Sequence, residues 1–130
     1  MIITIQIMLV FLSFAAKSVM DTLQFHYDLS LFTKYNPLFW NPAISWRNKW
    51  KNGIKANGEK FLFSSTLLVW TTDAWHLFQF IFLNSICYAM ALSTNITQWT
   101  IVDFIIIRLV GGVAFWLGYE KLLILKKWTK

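Results

Sequence analysis

Residues 61–92 read FLFSSTLLVWTTDAWHLFQFIFLNSICYAMAL, an apolar run carrying one carboxylate, Asp73, and one imidazole, His76. A straight helix over the whole run would be about 48 Å long. The hydrocarbon core of a bilayer is about 30 Å thick, and about 40–45 Å with its headgroups. Either the helix begins in the membrane interface, or it breaks near Thr71-Thr72-Asp73. Residues 74–92 alone fill the hydrocarbon, which leaves Asp73 and His76 at its edge. Ser64, Ser65 and Asp73 are each acceptable helix N-caps.

Two further apolar runs flank this one. Residues 2–16 form the first, and Lys17 can snorkel, which extends it to about residue 20. Residues 99–125 form the third, with Asp103 and Arg108 inside it. Hydrophobic residues make up 57% of the 130-residue chain and charged residues 14%. A soluble domain averages about 45–50% and about 25%. The expected class is therefore all-α: a polytopic helical membrane protein forming one domain over residues 1–130. Its transmembrane helices are expected at about 2–20, 74–92 and 100–125, with a cytoplasmic interfacial helix and aromatic-basic loop over about 21–64.

The net charge is +6. Its distribution argues for a membrane and against nucleic acid. Seven basic residues lie between the first two runs, from Lys17 to Lys60, and Lys121, Lys126, Lys127 and Lys130 lie at the C-terminal end. Residues 93–98 carry no charge. The positive-inside rule then places the chain in the inner membrane, N-terminus outside and C-terminus in the cytoplasm. Ser13-Phe14-Ala15 resembles a signal-peptidase site, but no basic segment precedes the apolar run, so a retained first span is expected. Asn95-Ile96-Thr97 matches a glycosylation acceptor on the outer side. Cys87 is alone and says nothing of redox compartment.

Ala16, Met20, Leu23, Tyr27 and Leu31 recur at helical spacing, so the first helix is expected to run on, or bend along the surface, to about Phe32. Asn36-Pro37 ends it. The loop that follows interleaves Trp40, Trp46 and Trp50 with Arg47, Lys49 and Lys51. Such a mixture suits the headgroup layer, either as a plain anchor or as a site for anionic lipid headgroups.

The polar exceptions carry the functional signal, because hydrocarbon keeps few ionisable groups without a reason. Asp73 and His76 share one helix face. An acid and an imidazole so placed can hold a divalent metal such as zinc, or pass a proton. Asp21 and His26 are the candidates to complete such a set. The plainer reading makes Asp73 a helix cap and His76 a hydrogen-bonding neighbour. Lys17 and Asp21, four apart, suit a simple ion pair. Asn84, Asp103 and Arg108 are the intramembrane polar residues, with Asn84 the first candidate partner for Arg108. Asp103 and Arg108 lie about 140° apart around the helix and do not suit each other. Gly111, Ala114 and Gly118 form a small-residue face on which two helices can approach closely. No serine elbow, glycine-rich phosphate loop or cysteine pairs are present.

Met20-Asp21-Thr22-Leu23-Gln24-Phe25-His26, Ser45-Trp46-Arg47-Asn48-Lys49-Trp50 and Thr72-Asp73-Ala74-Trp75-His76-Leu77-Phe78 together resemble a group of small uncharacterised integral membrane proteins of Bacteroidetes-type bacteria and their phages. The resemblance covers roughly residues 17–80. It implies an inner-membrane location and no particular activity.

Two function classes remain. One is a homo-oligomeric scaffold, accessory subunit or pore-type protein, with the lipid bilayer and copies of itself as partners. The other is a membrane-embedded metal- or proton-binding site at the cytoplasmic face, serving lipid-headgroup chemistry or ion transport. Whether the chain is an enzyme is open at this stage.

Overall fold

Three long helices and a set of short turns make up the computed structural model, which describes residues 1–94 and 96–117. The helices are α1 (Ile2–His26), α4 (Ala74–Ala91) and α5 (Thr100–Trp116), with two single-turn helices, α2 (Pro37–Trp40) and α3 (Pro42–Ser45), between α1 and α4. The described residues contain no strand, only an isolated antiparallel bridge between Trp50 and Glu59.

The expected continuation of the first helix to Phe32 does not form. His26 has the non-helical backbone angles φ −138° and ψ 24°, and single 3-10 turns follow at Tyr27–Leu29 and Leu31–Lys34. The next two elements use one local device twice. Asn36 and Asn41 each accept the backbone N–H two residues on, at 3.0 Å, and each is followed by proline at the first helical position. Proline there has no N–H to leave unpaired, and its fixed φ suits a helix start.

The long apolar run is broken, and the break has identifiable causes. Phe63 adopts φ 60°, which no helix can contain. The Glu59 carboxylate takes the N–H groups of Phe63 and Ser65 at 3.1 Å each, so they are satisfied outside a helix. Asp73 is extended, at φ −155° and ψ 160°, and its carboxylate caps α4. The helix that remains has 18 residues, about 27 Å at 1.5 Å per residue.

α4 packs against both α1 and α5, and most of its contact is with α1. The α1–α4 pair is antiparallel. At one end the Gln6 amide meets the Ala89 carbonyl and the Ser93 hydroxyl. At the other, Gln24 lies in one cleft with Asp73 and His76. The buried stripe of α1 is Ser13, Ala16, Met20 and Leu23, and α4 answers with Ser85 and Ala89. Small residues on both sides let the two backbones approach closely. On α5 and α4, Phe104 meets Tyr88 edge-on at 5.8 Å between ring centres.

Two helical segments among the described residues are long and apolar enough to cross a membrane, Ile2–Leu29 and Ala74–Ala91, rather than the three expected. The described part of α5 has 17 residues, and the remainder of the expected third span lies outside the described residues. Only 11% and 22% of the apolar windows in the two segments are buried in the protein. A core helix of a soluble domain would be mostly covered.

Candidate interfacial site

The cap of α4 is also the place where the chain's chemistry gathers. Asp73 is 1% exposed. Its Oδ1 accepts the His76 backbone N–H at 3.0 Å, and its Oδ2 lies 2.7 Å from His76 Nδ1. An N-cap residue and the residue three further on lie within one turn, so a single carboxylate reaches both groups. An ionised carboxylate only accepts hydrogen bonds. With the carboxylate ionised, the contact is made by a proton on His76 Nδ1, and in the neutral ring that leaves Nε2 as an acceptor. The chain neighbours of Asp73, Thr72 and Ala74, are buried as well.

His76 is partly open, with 23% of its side chain exposed. It borders a cleft of about 280 Å³ shared with Gln24, Ser45, Trp46, Asp73 and Trp75. Ser45 is 3% exposed and borders the same cleft. Sequence reasoning missed Ser45 because 28 positions separate it from Asp73. The only local sign was the Asn41-Pro42 start of its short helix.

The aromatic-basic loop is folded against this corner. Asn48 donates its side-chain N–H to the Thr72 carbonyl at 2.8 Å and accepts from Lys60 at 3.0 Å. The Ser64 hydroxyl donates to the Lys49 carbonyl at 2.8 Å. Trp40 stacks on Phe32 at 4.8 Å and reaches Phe78 of α4 at 6.1 Å. The Arg47 guanidinium lies 5.2 Å from the Trp46 ring centre, and the Lys49 ammonium 5.9 Å from that of Trp50. The Lys51 N–H donates to the Gly58 carbonyl at 3.0 Å, while its side chain stays exposed.

The four-residue metal set does not assemble. Asp73 and His76 meet, but Asp21 is held by Lys17, whose Nζ lies 2.5 and 2.6 Å from its two carboxylate oxygens. His26 is exposed at the end of α1, where the helix stops instead of bending inward. Among the described residues no three His, Cys, Asp or Glu side chains come together.

The other polar residues separate into local structure and one open question. Asp103 is 1% exposed and takes the Thr97 N–H at 2.8 Å and the Thr97 hydroxyl at 2.7 Å, which ties the turn before α5 to its first turn. Asn84 donates to the Phe80 carbonyl of its own helix at 2.8 Å and does not bond to Arg108. Arg108 borders a second cavity with Lys17, Gln79, Leu83 and Cys87. Ala114 is exposed, while Gly111 borders that cavity and is itself exposed, and an added Cβ there would meet nothing within 4 Å. Gly118 and the Asn95 acceptor lie outside the described residues.

The Glu59 carboxyl is held below the ordinary carboxylate range, first by the Ser65 hydroxyl and then by the backbone N–H groups of Ser65 and Phe63. No protein-family model, no curated protein and no solved structure matches this chain.

Proposed function

We propose that the chain is an integral membrane protein whose functional centre is the Asp73–His76 pair, transferring protons on a lipid headgroup drawn into the cleft beside it. The membrane reading is supported by the large apolar surface of α1 and α5, where Ile3, Phe11, Phe14, Leu109 and Val113 are all more than half exposed. Surface of that extent suits acyl chains rather than water. The basic loop then lies at the cytoplasmic headgroups, with the N-terminus outside.

The observation that carries the chemical reading is the bond from His76 Nδ1 to a buried carboxylate at 2.7 Å, on an imidazole that borders a cleft. A cap alone needs only the bond to the backbone N–H. The second bond orients the ring and supports the imidazolium formed when Nε2 takes a proton, as a carboxylate does behind a catalytic histidine. Trp46 and Trp75 supply rings for the apolar part of a substrate.

The test is reconstitution into vesicles of phosphatidylglycerol and phosphatidylethanolamine, followed by mass spectrometry of the lipids. Headgroup or acyl-bond turnover by the intact chain, lost in His76→Gln with the fold preserved, supports the proposal. Unaltered lipids with both proteins would remove it.

A second reading has its own observation. Gly111 and Gly112 leave open space on α5, which suits close approach by a helix of another copy. A homo-oligomeric scaffold built on that face would lose assembly in Gly111→Leu and tolerate His76→Gln.

A further inference from the structure

The cavity of about 520 Å³ between α1, α4 and α5 holds a cation, Arg108, with no counter-charge among the described residues. Lys17 and Arg108 both border it, together with Gln79, Leu83 and Cys87. Lys17 is already committed to Asp21 by two contacts. No described residue forms a hydrogen bond or ion pair with the Arg108 guanidinium. The remaining wall is mostly apolar, with Met20, Phe82 and Phe115. Arg108 shares the cavity with Gln79 and Leu83, which lie about one and a half to two and a half turns into α4, a depth at which an uncompensated guanidinium is costly in lipid.

We propose that this cavity binds the oxyanion of one amphiphile, a phosphate or a carboxylate, with its acyl chain lying along the apolar wall. The guanidinium is planar and presents paired N–H donors, which match two oxygens of such a group. The volume far exceeds what an oxyanion alone fills, so the lining selects a ligand with an apolar part. Gly111 and Gly112 leave room for it on the α5 side. The site rests on the membrane reading of the helices and not on any chemistry at Asp73 and His76.

Native mass spectrometry of the detergent-purified protein, titrated with dioleoyl-phosphatidylglycerol or with oleate, tests this. One equivalent per protomer is expected, with affinity falling roughly tenfold or more in Arg108→Gln. Arg108→Lys, which keeps the charge without the paired geometry, should recover part of it. Tighter binding of phosphatidylglycerol identifies a phosphate site, and tighter binding of oleate a carboxylate site. Circular dichroism and retention in carbonate-washed membranes establish that the variants are folded and inserted. Equal binding by folded Arg108→Gln, or binding of neither ligand, would overturn the proposal. So would a dimer that excludes both ligands, because a second copy would then neutralise the guanidinium.

Discussion

The Asp73 carboxylate accepts from two groups of the same residue, the backbone N–H of His76 through Oδ1 at 3.0 Å and the ring Nδ1 through Oδ2 at 2.7 Å. One side chain thus starts a helix and orients an imidazole. Substitution can separate these roles.

Asparagine caps a helix about as well as aspartate, whereas alanine does not. Asp73→Ala should destabilise the protein by about 1 kcal/mol or more. Asp73→Asn should keep most of the stability and still lose the lipid turnover proposed above. Thermal unfolding followed by circular dichroism, with the vesicle assay alongside, checks both. Equal activity in wild type and Asp73→Asn would leave the carboxylate as a cap only.

Glu59 gives a pH dependence of definite sign. Its folded carboxyl lies below the unfolded value, so its hold on residues 63–65 is present above the unfolded value and lost as pH falls through the folded one. Amide exchange protection at Phe63 and Ser65, corrected for intrinsic rates, should therefore drop at acid pH. Glu59→Ala should show low protection at every pH. Protection independent of pH in the intact chain would contradict this.

Ser13 is fully buried, and its hydroxyl has no hydrogen-bond partner among the described residues. A buried unpaired hydroxyl costs stability, so Ser13→Ala should be neutral or mildly stabilising. Ser13→Leu should instead force α1 from α4 and cost about 1–3 kcal/mol. Thermal midpoints in one detergent distinguish the two outcomes.

Asn48 ties the basic loop to the residue before Asp73 through the Thr72 carbonyl. Asn48→Ala should cost about 1 kcal/mol and raise proteolysis between Arg47 and Lys60, with α4 intact. Unchanged cleavage rates in that segment would show that the loop is held elsewhere.

The helical architecture was largely legible because its signals are local. Apolar length marks the helices and Asp73 reads as a cap from its position, but the stop expected at Asn36-Pro37 comes ten residues earlier, at His26, and Asn36-Pro37 starts a short helix instead. Lys17 and Asp21 were readable as a pair from spacing alone. What was not legible depends on chain reversal. The positive φ of Phe63 and the reach of Glu59 across to Ser65 break a run whose composition permitted one long helix. The stop at His26 kept that residue from the site, although the apolar spacing continued beyond it. Asn84 satisfied its amide within its own helix, which spacing alone did not separate from a bond across to Arg108. Ser45 reached the cleft by tertiary folding, with no sequence pattern to announce it.

The account turns on His76 presenting an unprotonated Nε2 while its Nδ1–H is held by Asp73. The most direct measurement is two-bond proton–nitrogen NMR of histidine-labelled protein in detergent at mildly alkaline pH, with His26→Gln used for assignment. The expected result is the Nδ1–H form of His76, shifting toward a mixture of tautomers in Asp73→Asn. A His76 ring protonated on Nε2, or one indifferent to Asp73→Asn, would contradict it.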